Sequence, residues 1–125
     1  MLEKETEKRK ILQHFMPHTK IAMAIRLSAY KAKDEGKPYH GTTIAELENI
    51  LEKLKESNFD FGISSDKLPE ILKSAEESGR IFPTLKFDAE NRAIRAYVVD
   101  PVVSHLYDEM LEEVGLLETK IKVKI

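Results

Sequence analysis

Apolar residues recur along this chain at two periods, and the switches between them mark its elements. From Thr19 to Lys33, Ile21, Ala22, Ala24, Ile25, Ser28, Ala29 and Ala32 fall at helical spacing, with small residues that let another helix approach closely. Asp34-Glu35-Gly36-Lys37-Pro38 reads as a loop. Thr43-Ile44-Ala45-Glu46 has capping-box spacing and opens a second helix, whose apolar positions are Ile44, Leu47, Ile50, Leu51 and Leu54. Ser57 to Ile63 is a loop whose aromatics, Phe59 and Phe61, are expected to close one end of the core. Ser64 or Ser65 is expected to N-cap a third helix, with Pro69 in its first turn and Leu68, Ile71, Leu72 and Ala75 on one face. Gly79 is a natural stop for it.

The period then changes to two. Ile81, Leu85 and Phe87 share strand parity between Ile81 and Asp88, and Pro83 predicts an edge strand or a bulge. Asp88-Ala89-Glu90-Asn91 is turn-like. Ile94, Ala96 and Val98 lie on one side of a second strand from Arg92 to Val99. Asp100-Pro101 signals another helix start. That helix, to Val114, carries Val102, Val103, Leu106, Tyr107, Met110, Leu111 and Val114, wider than one covered face requires. Past Gly115, Ile121, Val123 and Ile125 alternate with Lys120, Lys122 and Lys124, a terminal strand that needs its own hairpin or another copy as partner.

At 125 residues the chain has room for one core with flanking elements. The expected organisation is an N-terminal helical arm over residues 1–16, a folded domain over 17–100, and a packing or dimerisation element over 101–125. The fold class is α+β and mainly helical. No stretch of 18 apolar residues occurs, so no membrane span is expected. The charged start, MLEKETEKRK, has no apolar signal core behind it. Absence of cysteine removes disulfides, thiol nucleophiles and thiolate zinc sites, and fits a cytoplasmic setting. Abundant Lys, Glu and Ile with a single glutamine, Gln13, lean toward a heat-loving source.

The net charge of −2 hides an asymmetry: residues 1–33 balance to +5 and residues 34–125 to −7. A nucleic acid would therefore meet local basic surface only. The arm, with Lys4, Lys8, Arg9 and Lys10 beside Ile11, Leu12 and Phe15, either folds back, pairs with a second copy or touches phosphate. Pro17 is expected to end or kink it.

Catalytic groupings are weak. His14 and His18 stand four apart, but Pro17 lies between them and no third ligand is set by spacing. His40 has no nucleophile in a recognisable context beside it, and His105 reads as structural. The five glycines are isolated, so no phosphate-cradling loop exists. No enzyme, metal or cofactor is expected.

The segments EESGRIF (76–82) and FDAENRAIRAYVVDP (87–101) resemble the recognition-helix-to-wing junction and the wing of winged helix-turn-helix regulators, over residues 43–100. The resemblance implies a three-helix core plus a β-hairpin wing, with N- and C-terminal helical extensions. It also implies a noncatalytic transcriptional regulator that binds double-stranded DNA and dimerises through terminal helices. The implied DNA contacts are Ser64, Ser65, Lys67 and Lys73 on the third helix, and Lys86, Asn91, Arg92 and Arg95 on the wing. The implied dimer contacts are Leu106, Tyr107, Met110, Leu111 and Val114. Against DNA stand Asp66, Glu70, Glu76 and Glu77, which make the third helix acidic. They support a rival reading, a winged helix used for protein contacts as a subunit or adaptor. The longer link before the third helix departs from a tight helix-turn-helix.

Overall fold

The structure is a computed structural model and describes residues 15–57, 59–119 and 122–123. The basic arm through Lys4, Lys8, Arg9 and Lys10, together with His14, lies outside those residues. So do Lys120, Ile121, Lys124 and Ile125.

The described residues form an α+β fold with four helices and a three-stranded antiparallel sheet. Helix α1 spans Pro17–Asp34, strand β1 Thr42–Thr43, helix α2 Ile44–Glu56 and helix α3 Leu68–Glu77. Strands β2 (Ile81–Phe87) and β3 (Ala93–Val99) form the hairpin, and α4 (Ser104–Glu113) follows. Two short strands, β4 (Leu117–Thr119) and β5 (Lys122–Val123), end the described chain.

Helix α1 is the hub. Ile21, Ala22, Met23, Ala24, Ile25 and Leu27 are fully buried, because α2, α3, α4 and the sheet all pack around it. Pro17 opens this helix at its first position, where a missing N–H costs nothing. Leu47, Ile50 and Leu54 of α2, Leu68, Leu72 and Ala75 of α3, and Tyr107 and Leu111 of α4 complete the core. Phe61 is buried with them and Phe59 packs at the edge, closing the end of the core as the sequence suggests.

Local signals explain most boundaries. The capping box at α2 is complete: Glu46 N donates to Thr43 Oγ1 at 3.2 Å and Thr43 N donates to Glu46 Oε1 at 3.0 Å. Helix α3 ends in a Schellman turn, in which Arg80 N donates to Ala75 O and Gly79 N to Glu76 O, both at 3.0 Å. Gly79 takes φ 74° there, which glycine adopts without a Cβ penalty. The start of α3 differs from expectation. Ser64 and Ser65 supply backbone carbonyls to a turn, accepting from Lys67 N and Leu68 N, and no side chain caps the helix. Likewise Asp100 caps a turn rather than a helix, with Oδ1 accepting from Val102 N at 3.0 Å; α4 begins only at Ser104.

The sheet order is β1-β3-β2, so Pro83 lies on an outer strand, where its missing N–H is tolerated. Register pairs Ile81 with Val99, Pro83 with Tyr97 and Leu85 with Arg95. Ile81, Tyr97 and Val99 therefore share the face that meets the helices. Ile94, Ala96 and Val98 share one side of β3, as their alternation implies, and it is the side opposite the one that meets the helices. Ala96 is nonetheless fully buried, with Gly41 packed close against it on that side. Leu85 and Phe87 share the parity of Ile81 but are each 63% exposed, since the hairpin runs on past the core.

Within the described part of the C-terminal segment, β4 pairs with β5 antiparallel, Leu117 opposite Val123. The chain supplies its own strand partner, and β5 lies against α1.

Candidate nucleic-acid interface

Helix α3 buries Leu68, Leu72 and Ala75, so the opposite side faces solvent. Glu70, Lys73, Ser74 and Glu77 are all exposed, with Glu70 three residues before Lys73 and Glu77 four residues after it. Lys73 thus stands between two carboxylates on the outer ridge, which is net acidic. Lys67 is exposed at the N-terminal end of the helix. Ser64 and Ser65 are exposed as well. They line a shallow cavity of about 370 Å³ with Glu48, Glu52, Lys55 and Asp60, surroundings unsuited to phosphate.

Helix and hairpin meet over an open groove of about 450 Å³, lined by Pro69, Lys73, Glu76 and Glu77 of α3 and by Arg95 and Tyr97 of β3. Lys73 and Arg95, far apart in sequence, are thereby brought to one surface. The Arg95 guanidinium donates to Glu76 at 3.0 and 3.3 Å and lies 5.8 Å from the Tyr97 ring centroid.

The other hairpin candidates have partners within the chain. Arg92 pairs with Asp88 and Glu90, each at 3.0 Å, inside the turn. Asp88 also accepts from the backbone amides of Glu90 and Arg92. That set, the Arg92 amide foremost, holds its carboxyl below the usual range. Asn91 occupies the turn with φ 61°, a left-handed conformation that asparagine tolerates, so its backbone role is structural. Lys86 reaches both oxygens of Glu46 at 2.9 Å and Gly41 O at 3.3 Å, tying the hairpin to the start of α2. Ion pairs this exposed contribute about 0–1 kcal/mol, so an incoming phosphate can displace Glu76 or Glu90 at little cost. Lys86 is the least available of the four.

The pairing of Glu76 with Arg95, 19 residues apart, left no mark in the sequence. Only the strand register and the end of α3, taken together, bring them into reach.

Of the dimer candidates, Tyr107, Leu111 and Val114 are buried in the chain's own core. Leu106 is exposed and Met110 half-buried. The breadth of apolar surface on α4 is thus mostly used within one chain. Val102, in the turn before α4, is 77% exposed.

Among the histidines, His40 and His105 are exposed, while His18 sits half-buried near Arg80. Burial and then the Arg80 charge keep its imidazole below the ordinary value. No group of three or more His, Asp or Glu side chains able to hold a metal occurs among the described residues. No described helix is long and apolar enough to cross a membrane. No protein-family model, curated protein or solved structure matches the chain.

Proposed function

We propose that this chain is a winged helix that binds duplex DNA without catalysis, as a transcriptional regulator. The observation that carries the reading is the juxtaposition of an exposed α3 with a projecting hairpin across one groove, to which they contribute Lys73 and Arg95. The element order α1-β1-α2-α3-β2-β3, with β1 paired to β3, is compatible with that fold. In this reading α3 approaches the major groove and the hairpin runs beside the backbone. Lys67, Lys73, Arg92 and Arg95 neutralise phosphates, and release of counterions drives binding. The acidic ridge of α3 keeps that binding weak, and the phosphate contacts make it salt-sensitive. A second copy would meet the chain through Val102, Leu106 and Met110, which leaves a smaller apolar contact than the sequence implies.

A second reading has its own support: a winged helix that docks a protein partner. Glu70 and Glu77 on the outer ridge oppose phosphate, while Leu85 and Phe87 leave apolar surface at the hairpin tip.

Fluorescence anisotropy with a labelled random-sequence duplex separates the two. DNA binding predicts dissociation constants of about micromolar at low salt that weaken steeply toward physiological salt. It also predicts loss of binding in the Lys67→Glu/Arg92→Glu double variant. No binding at low salt would sink the DNA reading and leave the protein-docking one.

A further inference from the structure

The β2–β3 hairpin carries a bare apolar ridge beyond the core. Opposite residues of an antiparallel pair share one side of a sheet, and the register sets Pro83 opposite Tyr97, Leu85 opposite Arg95 and Phe87 opposite Ala93. Pro83, Leu85 and Phe87 therefore lie on the side of the hairpin from which Arg95 and Tyr97 line the groove with α3. All three ridge residues are exposed, Leu85 and Phe87 most of all. The other side of the hairpin is braced: Lys86 reaches Glu46 at 2.9 Å and Gly41 O at 3.3 Å, and Gly41 packs against Thr84. At the tip, Asp88 N donates to Arg92 O at 3.0 Å, and Arg92 pairs with both Asp88 and Glu90, so neither carboxylate stands alone there. Apolar side chains in a row on a braced hairpin make a stiff wedge.

A duplex held by Lys73 and Arg95 would meet that wedge, because the ridge continues from Arg95 outward on the same side. Leu85 and Phe87 can bond neither a phosphate nor a base edge. They can leave water by entering the stack of bases, and Phe, Leu and Pro are side chains that open base steps from the minor groove. We propose that the hairpin tip enters the minor groove beside the α3 contact and inserts Phe87, with Leu85 next on the ridge, into a base step, which unstacks it and bends the duplex toward the major groove. This rests on the duplex-binding reading and names the duplex that is preferred: one that opens easily, at a flexible pyrimidine–purine step or a mismatch. Where the step is already unstacked, less of the binding energy is spent on opening it.

The test uses the full chain and two short duplexes of one sequence, one fully paired and one with a single central T·T mismatch, each carrying a donor and an acceptor dye at its ends. Anisotropy reads affinity, and energy transfer between the ends reads bending. The wild-type chain should bind the mismatched duplex several-fold tighter and shorten the end-to-end distance of both. Phe87→Ala should weaken binding to the mismatched duplex about fivefold or more, as loss of one aromatic stack implies. It should also abolish the bend and the preference, yet leave the slope of affinity against salt unchanged, because no phosphate contact is lost. Leu85→Ala should reduce the preference, and Phe87→Leu, which keeps an apolar wedge, should retain it. Both positions are exposed, so thermal midpoints close to the parent's are expected and show that the variants are folded. Binding to the paired duplex without bending or preference overturns the wedge while duplex binding stands. Wild-type bending and preference in Phe87→Ala also overturn it and leave the ridge to a protein partner. No binding to either duplex at low salt overturns the wedge together with the duplex reading.

Discussion

Arg26 of α1 holds Asp108 of α4 in a two-point grip, Nε to Oδ1 at 2.8 Å and a terminal nitrogen to Oδ2 at 2.9 Å. The Tyr30 hydroxyl donates to the same Oδ2 at 2.8 Å, and the guanidinium lies 4.9 Å from the Tyr30 ring centroid. Only 16% of the Asp108 side chain is exposed, so its charge depends on these donors. This is the polar clasp between the hub helix and the C-terminal helix, 82 residues apart. Arg26→Met should cost about 1–3 kcal/mol in urea unfolding, because it strips a partly buried carboxylate of its main partner. Arg26→Met/Asp108→Leu should cost less than the two single changes together, since neither charge is then stranded. Strict additivity would show that the clasp contributes nothing.

The junction of hairpin and α2 makes stability fall in acid. Burial pushes the Glu46 carboxyl up. The Thr43 amide, with Lys86 next, outweighs that and leaves it below the ordinary value. A carboxyl depressed in the folded state stabilises the fold above its unfolded value of about 4.3, and that contribution is lost as pH falls through the folded value. Glu46→Gln keeps an oxygen for the Thr43 amide but discards the charge that Lys86 meets. The variant should be less stable than the parent at neutral pH. The gap should close as pH is lowered to about 3, measured by denaturant midpoints at each pH. A gap independent of pH would mean the Lys86 pair is not felt.

Gly41 is the point where chain and sheet come closest. A Cβ at that position would stand 2.8 Å from Thr84 Cγ2 and 3.0 Å from Ala96 Cβ, and its φ is 111°. Backbone strain and collision coincide there. Gly41→Ala should lose about 2 kcal/mol or more, a shift of several degrees in unfolding midpoint. Thr84→Ser removes the nearest methyl and should recover part of the loss. Lack of any recovery would assign the whole cost to the backbone.

Those same residues show what a sequence can and cannot declare. The capping box Thr43–Glu46, the Gly79 stop and the outer-strand proline are local rules, in which residues a few positions apart satisfy each other's backbone groups. Each was legible. The buried stripes of α1, α2 and α3 were legible for the same reason, since period and burial coincide on a helix that packs on one side. In the hairpin, alternation fixes only that Ile94, Ala96 and Val98 share a side. Which side meets the helices depends on how the sheet docks, and the close approach of Gly41 covers Ala96 on the other one. The wide apolar set of α4 suggested a second copy, yet Tyr107, Leu111 and Val114 fill this chain's own core. For the candidate interface, residue type announced Lys73, Arg92 and Arg95 as cations. Their carboxylate partners arise from tertiary approach or turn geometry, and no spacing rule encodes Glu76 against Arg95.

That last pair sets the sharpest expectation for the proposed interface. Glu76 occupies the guanidinium that a phosphate would use, with Arg95 Nη2 at 3.0 Å from Oε1, and it borders the groove shared by α3 and the hairpin. An exposed pair of this kind contributes about 0–1 kcal/mol to the fold, so Glu76→Gln should leave the unfolding midpoint nearly unchanged. It removes one negative charge facing the duplex and frees Arg95, so DNA affinity at low salt should rise several-fold. If Arg95 gains a phosphate, the dependence of affinity on salt should steepen by about one counterion. Arg95→Gln should reverse both effects, and in the double variant Glu76→Gln should bring only the smaller gain from reduced repulsion. If Glu76→Gln raises affinity equally with and without Arg95, the carboxylate acts through general repulsion and Arg95 makes no phosphate contact.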